Sequence, residues 1–151
     1  MAKDLLHRSL PTLIDRVRRH RALARGLWGH LPPAFSYRVA RMLGEVDGTA
    51  LQLDDFRRYV EHISDIDLDL YLAMLQSAGE HSAEDLLAKI TVPTLVIAAE
   101  KDTFTPVAVV RAMAEAIPGA EYLELAGASH AAPAERADII NERIETFLDA
   151  L

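Results

Sequence analysis

The sequence has no cysteine among its 151 residues, which excludes disulfides and thiolate metal sites and fits a reducing compartment. Nowhere do eighteen apolar residues follow one another, the length a membrane-crossing helix requires. The start, Met1 to His7, carries no long apolar run of the secretory kind. The expectation is a cytoplasmic chain with no membrane contact. Zinc-finger spacings, RNA-stacking motifs, Gly-rich phosphate loops, internal repeats and low-complexity tracts are all missing. No cluster of metal ligands stands out, so no metal or organic cofactor is expected.

What is present suits a folded chain. Half of the residues are apolar and about a quarter are charged, enough to bury a core rather than remain disordered. Charge is unevenly shared. Residues 1–41 hold nine Lys/Arg against two Asp/Glu, leaving seven against twenty-one for the rest. A basic head raises the question of nucleic acid, through Arg16, Arg18, Arg19, Arg21 and Arg25. These arginines, however, interleave with Leu13, Ile14, Val17, Leu23, Ala24 and Leu27, the pattern of a solvated helix face opposite a buried stripe. Nucleic acid is not expected as a partner.

The first eighty residues read as helices with short breaks. Pro11 suits the first position of a helix running to about Leu27. A second helix spans Ala34 to Leu43 and stops at Gly44, and a third begins at Leu53, with Phe56, Tyr59, Val60 and Ile63 at helical spacing. Asp65 to Leu70 alternates like a strand, yet Tyr71 to Leu75 suits a helix, and helix is favoured. The same aspartates suggest a calcium loop, but Leu70 and Gln76 stand where such a loop needs Gly and Glu. After Gly79 the character changes. Ser82 to Asp85 has the form of a capping box opening a short helix. Leu95 to Ala99 is apolar on both faces, as in a strand of a parallel sheet. Pro106 starts a helix with Val107, Val110, Met113 and Ile117 on one face, ended by Pro118-Gly119. Tyr122 to Leu125 reads as a second strand, Gly127 to Pro133 as a loop, and Ala137 to Leu151 as a final helix with Ile140, Ile144, Phe147, Leu148 and Leu151 inward. Strand, helix, strand, helix is the order of an α/β fold.

Two residues stand where chemistry belongs. Asp102 follows the first strand and His130 the second. In an open parallel sheet those strand ends share one edge, the edge where ligands bind. A carboxylate beside an imidazole fixes its tautomer and stabilises its protonated form, leaving the other nitrogen to accept a proton. Each residue also has a plainer reading, Asp102 as a turn or helix cap and His130 as a loop histidine satisfied by backbone. Their matched placement after two strands, one crossover apart, favours the joint reading.

The series Ile90-Thr91-Val92-Pro93-Thr94-Leu95-Val96-Ile97, Glu100-Lys101-Asp102 with Pro106, and Gly127-Ala128-Ser129-His130 followed by Glu135 and a helix ending in Phe147-Leu148 closely resembles the last third of α/β-hydrolases. The resemblance is strong over residues 82–151 and general over 1–80. It implies the C-terminal portion of an α/β-hydrolase fold, with two parallel strands and flanking helices (82–151), preceded by a helical cap or lid (1–81). Asp102 takes the role of the triad acid and His130 that of the general base. Where members often carry glycine three residues before the acid, this chain has Ala99. The family's nucleophile precedes the acid on a G-x-S-x-G turn. None of Ser9, Ser36, Ser64, Ser77, Ser82 and Ser129 is flanked by glycines in that way, and no upstream oxyanion loop is found. Ser129 adjoins His130, but loop neighbours seldom point at each other.

Loss of the nucleophile from such a triad costs on the order of a millionfold in turnover. The chain is therefore expected to be inactive alone, as the lid and histidine-bearing segment of an esterase-like acyl hydrolase from a truncated, split or misassigned reading frame. The resemblance implies a small-molecule substrate in the intact enzyme. Two strands leave Leu95, Val96 and Ile97 short of neighbours on one edge, so the expected partner is the N-terminal half of the same enzyme or a second copy. The alternative is a non-catalytic helical binding module derived from a hydrolase.

Overall fold

A computed structural model describes residues 11–12, 14–28 and 30–151. Leu13, Ser9 and the start from Met1 to His7, all used above, lie outside the described residues. Among those described, the order is α1 (Arg21–Leu27), α2 (Pro33–Leu43), α3 (Leu53–Ser64), α4 (Leu68–Glu80), α5 (Glu84–Leu87), β1 (Leu95–Ala99), α6 (Val107–Ala116), β2 (Glu121–Leu125), α7 (Ala132–Glu135) and α8 (Ala137–Asp149). The fold class is the one the sequence implies, two parallel strands with flanking helices after a helical stretch. No described helix is long and apolar enough to cross a membrane. The chain forms two compact units: residues 1–39 with 52–81, and residues 40–51 with 82–151.

In the first unit, Ile14, Leu68 and Leu72 are buried together, with Val17, Ala24, Trp28 and Leu75 packed against them. Trp28 donates its Nε1 hydrogen to the Ile66 carbonyl at 2.8 Å and lies 5.1 Å from the Tyr71 ring. The helix expected from Pro11 to Leu27 is divided at His20, whose backbone (φ −110°, ψ 34°) leaves the helical region. Leu23 and Leu27 are exposed, so of the five described apolar positions Ile14 is buried and Val17 and Ala24 pack against its cluster. Arg21 and Arg25 pair with Asp69, and Arg25 also lies 3.6 Å from Asp67, which supports the reading of a solvated charged face. The ambiguous aspartates resolve as a helix start. The Asp67 carboxylate accepts from the amides of Asp69 (3.0 Å) and Leu70 (3.1 Å), supplying two of the orphan donors at the beginning of α4. Ser82 stands one residue before the cap position of α5 and only accepts from Glu84 N at 3.4 Å, so the expected capping box is not formed.

The second unit is built on β1 and β2, which pair in parallel with Leu95 opposite Glu121 and Ala99 opposite Leu125. Side chains alternate across a strand, and the register sorts them into two clusters. Ile97, Ala99, Leu123 and Leu125 face one side, joined by Ala128, Ala132 and Ile140 of α8. Val96 and Tyr122 face the other, with Ala114, Ile117 and Val110 of the α6 crossover and with Leu87 and Ile90. Flanking helices thus cover Val96 and Ile97, although β1 has one paired edge among the described residues. Four expected core positions are corrected. Met113 is more than a third exposed while Ala114 beside it is buried, and Ile144, Leu148 and Leu151 are exposed where the sheet, among the described residues, is two strands wide. Gly119 and Gly127 adopt positive φ (73° and 69°), each where the chain turns into or out of β2.

Leu125 is 4% exposed at the junction of strand and loop. Leu125→Ala should destabilise the fold by about 2–5 kcal/mol. Urea unfolding followed by circular dichroism checks this, and an unchanged midpoint would show that the cluster contributes nothing.

Candidate active site

The strand pairing continues into the loops. Beyond Ala99 and Leu125, Glu100 N donates to the Leu125 carbonyl at 3.1 Å and Lys101 N to the Ala128 carbonyl at 2.9 Å. The Glu100 carboxylate accepts from Gly127 N at 2.7 Å. Three cross-loop bonds therefore carry the sheet's register to the two residues that follow, Asp102 and His130. Their side chains meet, with His130 Nδ1 3.0 Å from Asp102 Oδ2. Ala99 sits inside β1 and no described non-glycine residue has positive φ, so the turn to the acid needs no glycine there.

The Asp102 carboxylate combines the two readings given to it. Oδ1 accepts from the amides of Phe104 (2.8 Å) and Thr105 (2.9 Å), while Oδ2 accepts from Thr105 Oγ1 (2.6 Å) and faces His130. Burial acts against its charge and is the strongest single influence, but the bonds from Thr105 and His130 together outweigh it and hold the carboxyl below its usual range. The carboxylate is consequently ionised at neutral pH and can only accept. Nδ1 must carry a hydrogen, and in the neutral form of the ring Nε2 is then the acceptor nitrogen. No described residue bonds Nε2. The Asp102 side chain is 9% exposed and that of His130 is 43% exposed, so the carboxylate is enclosed while the imidazole reaches solvent. Phe104 lies against the imidazole, ring centroids 4.6 Å apart.

Ser129 is directed elsewhere. It is 2% exposed, its hydroxyl meeting the Glu45 carbonyl (2.8 Å) and the Glu135 carboxylate and accepting from Ala131 N at 3.2 Å. These contacts engage it structurally. The carboxylate of Asp47 in the same unit is lowered to about 2, chiefly by the Thr49 hydroxyl and amide, with Arg136 contributing. No group of described residues is arranged to hold a metal ion.

A family described as TAP-like protein, of the α/β-hydrolases, matches residues 71–150, more than half of the chain. This chain belongs to the TAP-like α/β-hydrolases. No curated protein sequence matches it. Among solved structures, it is similar to an enol-lactonase from Burkholderia xenovorans LB400 at 25% identity and a TM-score of 0.57, over 84% of this chain and 49% of that one. It is also similar in fold to a thermophilic esterase from Thermogutta terrifontis, solved with malate bound, at 19% identity and a TM-score of 0.61, over 95% of this chain and 50% of that one. The TAP-like chain spans about half the length of these structures.

Sequence reasoning named Asp102 and His130, and the structure brings them together. It missed the neighbours that hold them. The three-residue step from Asp102 to Thr105 is an Asx-turn spacing and was a usable local signal. Glu45 and Asp47 had none, being more than eighty residues from the histidine loop they touch.

Because the folded Asp102 value lies below the unfolded one, near 3.9, its contribution to stability is complete at neutral pH. It is lost as pH falls through the lower folded value. Asp102→Asn should therefore flatten the acid side of the stability profile, read as urea midpoints from about pH 7 to about pH 2. Identical slopes in parent and variant would show that the carboxylate gains nothing on folding.

Proposed function

We propose that this chain supplies the acid and base of an esterase-like acyl hydrolase, with His130 as general base and then general acid and Asp102 as its orienting partner. The observation that carries the reading is the Asp102–His130 contact at 3.0 Å, with Nε2 unengaged among the described residues and the imidazole 43% exposed. In this reading Nε2 takes the proton from a hydroxyl nucleophile as that oxygen attacks the substrate carbonyl. The imidazolium so formed is stabilised by the ionised Asp102 and returns the proton to the leaving oxygen. The TAP-like family match and the likeness to a lactonase and an esterase support hydrolysis of a small-molecule ester or lactone as the reaction class.

The nucleophile and the oxyanion donors come from a segment outside these 151 residues, since no serine here stands in a G-x-S-x-G turn. The helices of residues 1–81 act as the cap over the substrate, apart from 40–51, which fold with the histidine-bearing unit. The setting is cytoplasmic.

On its own the chain should give no turnover of a p-nitrophenyl ester above buffer and no labelling by a serine-directed fluorophosphonate. Adding a polypeptide that carries the nucleophile-bearing half should restore turnover, and His130→Ala should abolish it. Robust hydrolysis by the lone chain, lost in His130→Ala, would show that a nucleophile lies within it. Failure of every G-x-S-x-G-bearing half tried, together with stable binding of such a half, would favour a binding module instead.

A further inference from the structure

The segment that follows α2 runs against both catalytic loops of the second unit. Thr103, next to the acid, bonds the Glu45 carboxylate through its hydroxyl. Ser129, next to the base, donates to the Glu45 carbonyl at 2.8 Å. Two residues on, Asp47 N donates to Glu135 Oε1 at 2.7 Å, and Ser129 N donates to the other oxygen of the same carboxylate at 2.9 Å. Arg136 reaches back to Asp47 Oδ2 at 3.4 Å. Glu135 is 8% exposed, and a carboxylate so enclosed is tolerated only when its oxygens are satisfied. Here both oxygens are spent on holding two stretches of backbone far apart in sequence.

We propose that Glu135 and residues 45–47 form a positioning clamp that fixes the His130 loop against the acid loop independently of the Asp102–His130 bond. The catalytic meaning of the clamp rests on the role proposed above for His130; its existence does not. Glu135 touches no reacting atom. It acts through Ser129, whose peptide immediately precedes the base, and through the 45–47 segment, which also braces Thr103 beside the acid. A half-exposed imidazole otherwise held at one nitrogen and one ring face would sample several orientations. With the preceding residue pinned at its amide and hydroxyl, the ring keeps Nδ1 toward Asp102. The local sequence hides this arrangement, because the Asp47 amide that Glu135 holds lies 88 residues away along the chain.

The test is nuclear magnetic resonance on the full 151-residue chain, following the His130 Nδ1 hydrogen and the exchange of the Ser129 and Asp47 amides. In Glu135→Ala both amides should exchange about tenfold faster or more, the equivalent of losing a hydrogen bond to a charged acceptor. The His130 resonance should broaden or vanish while far-ultraviolet circular dichroism is unchanged. Glu135→Gln, which keeps one acceptor oxygen, should retain protection at one of the two amides. Should Glu135→Ala not fold, Ser129→Ala serves, since it removes the hydroxyl from the clamp with little change in volume, and it should broaden the His130 resonance in the same way. Parent-like amide exchange and a parent-like His130 resonance in the folded variants would overturn the clamp. If the parent chain shows no His130 Nδ1 resonance but the two amides are protected and respond to Glu135→Ala, the clamp stands and the catalytic reading of His130 falls.

Discussion

The parallel pairing of β1 with β2, in a register that sets Ala99 beside Leu125, is the constraint from which the rest of the second unit follows. It aligns two strand ends at one edge, and three further bonds between Glu100, Lys101, Leu125, Gly127 and Ala128 extend that alignment into the loops. An acid and an imidazole 28 residues apart then lie within hydrogen-bond distance. The same register sends alternate side chains to two faces, so α6 and α8 each find an apolar surface to cover. A shift of one residue would exchange the faces and break both the core and the site.

Electrostatics within the site are set by unequal enclosure. Asp102 is nearly closed off and accepts four hydrogen bonds, two of them from backbone, so it keeps its charge despite burial. His130 is bound at Nδ1, and among the described residues Nε2 has no partner. This asymmetry suits a fixed acid that orients a base able to exchange protons with something outside the protein. Near His130 along the chain, Ser129 and Glu135 are buried and bonded to each other.

Much of this was legible in the sequence, for identifiable reasons. β1 was readable because Leu95 to Ala99 is apolar on both faces, and the crossover because Pro106 and Pro118-Gly119 bracket it. The dyad was readable because topology places strand ends, whatever the side chains around them. The inward face of α8 was not. Ile144 and Leu148 have the spacing of core residues, and periodicity cannot say whether a sheet is wide enough to cover them. The break at His20 was also invisible, since histidine is an ordinary helix residue and no glycine or proline marks the position. Membership of residues 40–51 in the second unit depends on bonds from Glu45 and Asp47 to residues far along the chain, which no local pattern encodes.

The central claim is that the sheet holds Asp102 against His130 Nδ1 in solution. It is tested most directly by observing the imidazole Nδ1 hydrogen of His130 by nuclear magnetic resonance in the parent chain and in Asp102→Asn. The account predicts a protected downfield resonance in the parent that is lost or strongly displaced in the variant. A parent without that resonance, or a variant in which it persists unmoved, would contradict it.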